Sequence, residues 1–176
     1  MKLSNLTGKT FALMVASGFD EKRFISIQRG LVGAGAILKI VSREAGSTNA
    51  WNGVGWGMSY PCDKKLASAL AIDFDALIVP EGQRHVEVLK KDAHALRLLR
   101  AFLRANMPIL LQGAGTQLLS LVDDKRFSVE ADQNGLKENL FVNKNLVMKS
   151  DLDDELSELT ALNQVFKNLN KENQAA

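Results

Sequence analysis

The segment best placed for chemistry is a short apolar run that turns into a helix at Gly113-Ala114-Gly115. Residues 107–119 read MPILLQGAGTQLL. A buried strand that turns sharply into a helix is a geometry in which enzymes present a nucleophile. No side chain of this turn can attack a substrate. Three interpretations follow: an active site that has lost its chemistry, a binding loop, or only a turn.

The same turn is a candidate binding loop because backbone N–H groups at the start of a helix are unsatisfied and attract negative charge. The candidate ligand- or anion-binding residues are Gln112, Gly113, Ala114, Gly115 and Thr116. The letters GAGTQL lack the third glycine of a dinucleotide fingerprint and follow the fourth predicted strand instead of the first. We therefore expect a small anion or metabolite, and no cofactor.

Three other side chains that could react have ordinary interpretations. Cys62, in SYPCDKK, precedes a predicted helix away from the turn, which favours an unreactive thiol. His85 and His94 lack the spacing of metal ligands to neighbouring Cys or carboxylate residues, which favours surface or capping histidines. No metal site is predicted.

Carboxylates near the predicted strand ends also have ordinary interpretations. Glu81 and Gln112 could form a polar pair, although a solvated loop acid is the favoured interpretation for Glu81. Asp73 and Asp75 could imitate paired catalytic carboxylates, but we expect them to cap and flank a strand.

The elements that must position these residues alternate along the chain. Apolar runs of strand length predict strands at 10–16, 36–42, 76–80 and 108–111, with a weaker ribbon at 139–148. Helical periodicity and capping residues predict helices that begin near Asp20, Asp92, Gly115 and Asp151.

Short apolar strands between amphipathic helices indicate a mostly parallel sheet covered on both faces. The predicted fold is therefore α/β, a three-layer sandwich of flavodoxin-like type. Ligands of such folds lie at the carboxyl ends of the strands. The loops at Ser17, Glu81 and Gly113 should converge there.

Composition limits the function classes. The chain has 176 residues, of which 46% are hydrophobic and 24% charged, and this predicts one domain over 1–176 with frayed ends at 1–8 and 170–176. A net charge of +2 predicts no nucleic-acid partner. No apolar run reaches the ~20 residues of a membrane span, so no membrane partner is expected. A lone cysteine fits a reducing cytoplasm.

Four segments resemble, in order and spacing, the blocks of the ThiJ/PfpI superfamily, whose fold is like that of class I glutamine amidotransferases. They are GKTFALMVASGFDEKRF, LVGAGAILKIVS, DFDALIVPEG and MPILLQGAGTQLL. The resemblance runs from about Gly8 to Leu169. It implies the same sandwich fold that the element pattern predicts.

The resemblance also implies which positions have changed. Active members carry A-I-C-H-G at the turn, called the nucleophile elbow, and a Glu on the first helix that bonds the thiol. Here the Cys position falls on Gly113, the His on Ala114 and the Glu on Arg23, while the Pro-Gly-Gly loop reads Pro80-Glu81-Gly82. The degenerate active-site positions are therefore Arg23, Glu81, Gly82, Gly113 and Ala114. We expect no catalytic residue, and a positive φ at Gly113.

In this respect the chain resembles the non-catalytic domain at the C-terminus of large-subunit catalases, whose elbow also lacks Cys. The resemblance implies a non-catalytic protein that binds a small ligand or a protein partner, in stress or redox physiology. The alternative is a divergent hydrolase, lyase or glycation-repair enzyme of the same superfamily that uses a residue other than Cys.

An aromatic segment at 50–61, AWNGVGWGMSYP, suggests a partner. In an extended ribbon Trp56, Met58 and Tyr60 would share one face, and Trp51 precedes them. These residues either cover the core of this domain or form a homodimer interface, in which Trp, Tyr and Met are enriched. We expect a homodimer.

Overall fold

The computed structural model describes residues 3–122, 140–149 and 157–175. Its strands are β1 Thr10–Val15, β2 Phe19–Asp20, β3 Ile37–Ser42, β4 Ser47–Trp51, β5 Trp56–Pro61, β6 Lys64–Lys65, β7 Ala76–Val79, β8 Ile109–Gln112, β9 Leu140–Asn143 and β10 Leu146–Lys149. Its α-helices are α1 Glu21–Gly33, α2 Gln83–Leu89, α3 Ala93–Arg104 and α4 Ser157–Ala175. Short 3-10 helices span Leu66–Ser68, Ala71–Asp73 and Gly113–Leu121.

The main sheet has the strand order β6-β3-β1-β7-β8-β10-β9. Neighbouring strands are parallel throughout, except that β9 runs antiparallel to β10. The predicted apolar runs form β1, β3, β7 and β8, and all four residues of both β7 and β8 are buried. Continuous apolar strands are buried in this way because helices cover both faces of a parallel sheet.

Two apolar clusters lie on the two faces of the main sheet. On one face α1 and α4 pack through residues such as Phe24 and Leu159. On the other face α2, α3 and the 3-10 helix Gly113–Leu121 pack through residues such as Leu99 and Leu118. The three-layer α/β sandwich predicted from the sequence is confirmed.

The smaller sheet has the order β2-β4-β5. Strand β4 pairs with β2 in parallel and with β5 in antiparallel orientation. The aromatic segment predicted as a ribbon therefore forms the end of β4 and all of β5.

Several local predictions are confirmed and two are corrected. Asp92 is the N-cap of α3, where its Oδ1 accepts a hydrogen bond from the His94 amide at 2.8 Å. The 139–148 ribbon forms β9 and β10. The helix predicted over 115–122 is instead a 3-10 helix that begins at Gly113. Helix α2 had no counterpart in the sequence prediction.

The chain ends are described in part. Leu6 is buried and its amide bonds the carbonyl of Ala34 at 2.8 Å, while α4 continues to Ala175. The acidic start predicted for the last helix lies outside the described residues; it comprises Asp151, Asp153, Asp154 and Glu155, with Leu156.

Candidate functional site

Three loops meet at the carboxyl edge of the main sheet, as the fold predicted. The amide of Asp20, beyond β1, donates to the carbonyl of Glu81, which follows β7, at 2.8 Å. The amide of Ala114, which follows β8, donates to Oε2 of Glu81 at 2.9 Å. Glu81 therefore joins the other two loops, one through its backbone and one through its carboxylate.

Gly113 has the backbone conformation of an elbow. Its φ is +48°, in the left-handed region that glycine adopts at little cost. A Cβ built on Gly113 would overlap the carboxylate oxygen Oε2 of Glu81. The carboxylate of Glu81 thus occupies the space into which a side chain at position 113 would project.

Glu81 also decides the electrostatics of the turn. Its half-buried carboxylate accepts the Ala114 N–H at a point where an oxyanion-binding site would need free N–H groups. Gly82, next in the chain, has φ +141°, and a Cβ there would come within 2.8 Å of the Phe19 Cα. Gly82 therefore permits the close approach of the β1 and β7 loops.

The rest of the elbow is held by short contacts. The hydroxyl of Thr116 donates to the carbonyl of Gly113 at 2.8 Å. Gly115 is buried against Val79, where a Cβ would lie 3.1 Å from Cγ1. An external anion at Ala114 would have to displace the carboxylate of Glu81. Anion binding by this loop stays a prediction.

Arg23 lies in the first turn of α1, beside the elbow loops. Its amide donates to the Oδ1 of the N-cap Asp20 at 2.8 Å. Its guanidinium Nη1 is buried and has no hydrogen-bond partner among the described residues. A cationic group therefore stands at the position to which the family resemblance assigns a carboxylate.

Gln112 pairs with a residue that the sequence did not single out. Its Nε2 donates to Oε1 of Glu158, on α4, at 2.7 Å, and both side chains are 1% exposed. The pair suggested between Gln112 and Glu81 is wrong. Glu158 was missed because it lies far away in sequence and its neighbours give no motif.

Lys149 extends this buried polar group. Its Nζ donates to the Ser157 hydroxyl at 2.8 Å, and that hydroxyl lies 3.4 Å from Oε2 of Glu158. The Lys149 side chain is almost fully buried. These contacts fix the start of α4 to the carboxyl end of β10.

His85 is fully buried, so its interpretation as a surface or capping histidine is wrong. Its Nε2 lies 2.8 Å from the carbonyl of Pro80, and that acceptor requires the proton on Nε2. Burial lowers the pKa of His85 to about 4 against the opposing effects of the Pro80 hydrogen bond and Glu44, so the ring is neutral at pH 7. His85, Val86 and Leu89 are the buried residues of α2. Their spacing is the one signal in the sequence that could have indicated both the helix and the burial of His85.

The remaining candidate residues lie elsewhere. Cys62 lies between β5 and β6, and its Sγ donates to the Lys64 carbonyl at 3.1 Å. Strands β3, β1 and β7 separate β6 from β8 and its elbow. Asp75 flanks β7, as predicted, and its Oδ2 accepts the Thr10 amide at 2.8 Å. Among the described residues, no group of three or more His, Cys, Asp or Glu side chains could hold a metal ion.

The aromatic ribbon divides between surface and core. Trp56 and Met58 are 60% and 64% exposed. Tyr60 instead is partly buried and packs against the core, with its ring centroid 4.3 Å from that of Phe24. The guanidinium of Arg84 lies 3.8 Å from the ring centroid of Trp51.

Helices of the described segments are too short or too polar to cross a membrane. The model of the DJ-1/PfpI family matches residues 9–126. Over 131 residues the chain is 26% identical to catalase HPII of Mycobacterium avium, which covers 72% of this chain and 18% of the catalase. The chain thus spans less than a fifth of that relative.

Solved structures share the fold at low sequence identity. A ThiJ/PfpI domain protein of Brachyspira murdochii superposes with a TM-score of 0.74 at 19% identity, covering 92% of this chain and 98% of the other. A two-domain protein of Anabaena variabilis with DJ-1/ThiJ/PfpI-like and ferritin-like domains gives a TM-score of 0.74 at 19% identity, covering 92% and 48%. DJ-1 of Toxoplasma gondii gives 0.70 at 17% identity, covering 92% and 98%.

Proposed function

The chain belongs to the DJ-1/PfpI family, and we propose that it is a non-catalytic member that acts by binding a small ligand or a protein partner. One observation carries this proposal: the carboxylate of Glu81 fills the place of a side chain at position 113 and accepts the Ala114 N–H. The elbow has its backbone conformation but neither a nucleophile nor space for one.

The charge of Glu81 supports the same conclusion. Acyl-transfer chemistry at an elbow develops negative charge, which backbone N–H groups stabilise. A carboxylate on the Ala114 amide takes up that donor and repels a developing oxyanion. The present arrangement therefore opposes the chemistry that the family resemblance implies for active members.

No contact in the described residues specifically favours the alternative of a divergent hydrolase, lyase or glycation-repair enzyme. Cys62 is separated from the elbow by three strands. Glu81 is the nearest group that could act as a base, and its Oε2 is already hydrogen-bonded to Ala114. A ligand-binding role needs neither residue to react.

Turnover assays test this proposal. Purified protein is assayed for methylglyoxal consumption, deglycation, peptide hydrolysis and ester hydrolysis beside its Cys62→Ser and Glu81→Gln variants. We expect all three proteins to match the buffer rate. Saturable turnover by the wild type that either variant abolishes would contradict the proposal.

The setting of this function is also a proposal. The similarity to part of a catalase supports a role in stress or redox physiology. The lone Cys62, half-buried and without a disulfide, supports a reducing, cytoplasmic location.

We also propose a homodimer as the assembled form. Val54, Trp56 and Met58, here called the ribbon patch, are exposed apolar residues in or beside β5. Contiguous exposed apolar residues often mark contact sites, and a two-fold dimer would cover the patch on both copies at once. Tyr60 is partly buried against the core of its own domain, so the proposed interface does not include it.

A further inference from the structure

A cavity of about 610 Å³ lies where the chain enters β8 and β10. Its lining includes Asn106, which precedes β8, and Lys144, in the turn between β9 and β10. The elbow follows the last residue of β8, so the cavity and the elbow lie at opposite ends of that strand. Ligand pockets commonly have volumes of about 300–1,000 Å³, so this cavity has the size of a small-molecule site.

Two tight turns form one wall of the cavity. At the end of α3 the amide of Met107 bonds the carbonyl of Phe102 at 3.0 Å, and the amide of Asn106 bonds that of Leu103 at 3.2 Å. This helix end requires a left-handed residue, and Asn106 provides it with φ +54°. The hairpin turn is tied to this wall by Asn145, whose Nδ2 donates to the Met107 carbonyl at 2.7 Å. The wall is therefore held by the hydrogen bonds of the protein itself.

One face of α4 forms another wall. Its lining residues are three or four positions apart, as on one side of a helix, and apolar and amide side chains alternate: Ala161, Gln164, Val165, Asn168 and Leu169. Val165 is 3% exposed and belongs to the core, and Ala161 and Leu169 are partly buried against that core. These three side chains give the cavity a fixed apolar surface.

The polar groups of the lining favour an anion. Lys144 is exposed, and its Nζ has no hydrogen bond or ion pair with another described residue. The Nε2 of Gln164 donates to Oδ1 of Asn168 at 3.0 Å, which leaves the NH₂ of Asn168 as a donor without an acceptor in the described part of the chain. The described lining contains no acidic residue. An anion here meets one positive charge, whereas a cation is repelled.

A smaller cavity of about 230 Å³ adjoins the larger one, since both are lined by Asn106 and Leu169. The ring of Phe166 adds apolar surface there. The charged residues of its lining are Lys9 and Asp75, which form an ion pair with 3.0 Å between Nζ and Oδ1. The smaller cavity therefore extends the apolar surface of the larger one without adding an unpaired charge.

We propose that the larger cavity binds a small monocarboxylate that carries an apolar chain. The carboxylate pairs with Lys144, and the chain packs on Val165 and Leu169 towards the smaller cavity. No bond is made or broken. The inference rests on the proposed binding function and names a ligand class for it, but it uses no residue of the elbow.

Three probes separate the contributions of the charge and of the chain. Octanoate has both features, octylammonium has the same chain with the opposite charge, and acetate has the carboxylate without the chain. Isotope-labelled protein is titrated with each probe, and NMR follows the side-chain amides of Asn106 and Asn168, with the Ala114 backbone amide as the reference for the elbow. We expect saturable shifts of the two side-chain amides with octanoate, at least about tenfold weaker binding of acetate, and about fivefold weaker binding of octylammonium.

Matched variants test the role of Lys144. Lys144→Met removes the charge from an exposed turn, and thermal unfolding verifies that the variant remains folded. Lys167→Met makes the same change at an exposed position of α4 that lines neither cavity. We expect octanoate binding to weaken about threefold in Lys144→Met and to be unchanged in Lys167→Met. Lys144→Glu should reverse the preference, so that octylammonium binds more tightly than octanoate.

Several outcomes would overturn the inference. They are an absence of saturable octanoate binding, equal affinity for octanoate and octylammonium, and equal octanoate affinity in the wild type and Lys144→Met. Saturable shifts confined to Ala114 would place the ligand at the elbow and would overturn it as well. The turnover assays above test the non-catalytic function separately, because none of the residues invoked here belongs to the elbow. Turnover at the elbow would thus contradict that function alone, whereas failure of octanoate to bind contradicts only this inference.

Discussion

Replacing Gly113 by Ala should destabilise the protein because the new methyl group would enter the space of the Glu81 carboxylate. The left-handed backbone at φ +48° costs a residue with a Cβ about 1 kcal/mol. Displacing the carboxylate and losing its bond to Ala114 costs about 2 kcal/mol more. The expected loss in the free energy of unfolding is therefore about 3 kcal/mol, measured by urea denaturation.

A double-mutant cycle separates these two costs. Glu81→Ala alone should cost about 1 kcal/mol, because it removes one half-buried charged hydrogen bond. In that background Gly113→Ala should cost only the backbone contribution of about 1 kcal/mol. The double variant then loses about 2 kcal/mol, so the coupling between the two positions is about 2 kcal/mol.

Gly8 provides the matched control for this cycle. It also has a positive φ, +79°, but a Cβ there would meet no atom within 4 Å. The cost of Gly8→Ala should be the same with Glu81 present or replaced by Ala. Additivity of Gly113→Ala and Glu81→Ala within about 0.5 kcal/mol would refute the claim that the carboxylate fills the elbow.

Further predictions concern the buried histidine, the ribbon patch and a helix cap. The folded-state pKa of His85, about 4, lies below the ordinary histidine value of 6.5, so its contribution to stability is present above pH 6.5 and is lost as the pH falls towards 4. The free energy of unfolding should fall by about 3 kcal/mol in all over this pH range. Urea unfolding at several pH values should show this fall in the wild type and in the exposed-site control His94→Leu, but not in His85→Leu. Trp56→Ala should weaken the dimer by about 2 kcal/mol in sedimentation experiments. Tyr60→Ala should mainly lower fold stability because its ring packs on Phe24. A wild-type monomer at micromolar concentration would contradict the dimer. Asp92→Ala should cost about 1 kcal/mol in urea unfolding through loss of the α3 N-cap, and an unchanged midpoint would contradict that role.

The sheet could be predicted from the sequence because its signals are local. Continuous apolar runs become β1, β3, β7 and β8, since both faces of a parallel strand are buried. Asp92 was predictable as a cap because an Asp at an N-cap accepts amides two or three residues ahead. The convergence of the Ser17, Glu81 and Gly113 loops followed from the parallel topology alone.

The contacts around the elbow could not be predicted because they join distant residues. Glu81 reaches Ala114, and Gln112 reaches Glu158, only after the strands and α4 are assembled. Helix α2 is only seven residues long, which is too short for its periodicity to stand out. The burial of His85 depends on that missed helix, so it was missed as well.

The reactivity of a thiol placed at the elbow tests the central claim most directly. In a Cys62→Ser background, Gly113→Cys introduces a thiol beside the Glu81 carboxylate, which disfavours the reactive thiolate. The rate of alkylation by iodoacetamide at neutral pH is compared with that of the same protein carrying Glu81→Gly in addition. If Glu81 fills the nucleophile position, removing its carboxylate raises the rate by about tenfold or more. Equal rates in the two proteins would show that Glu81 does not face position 113.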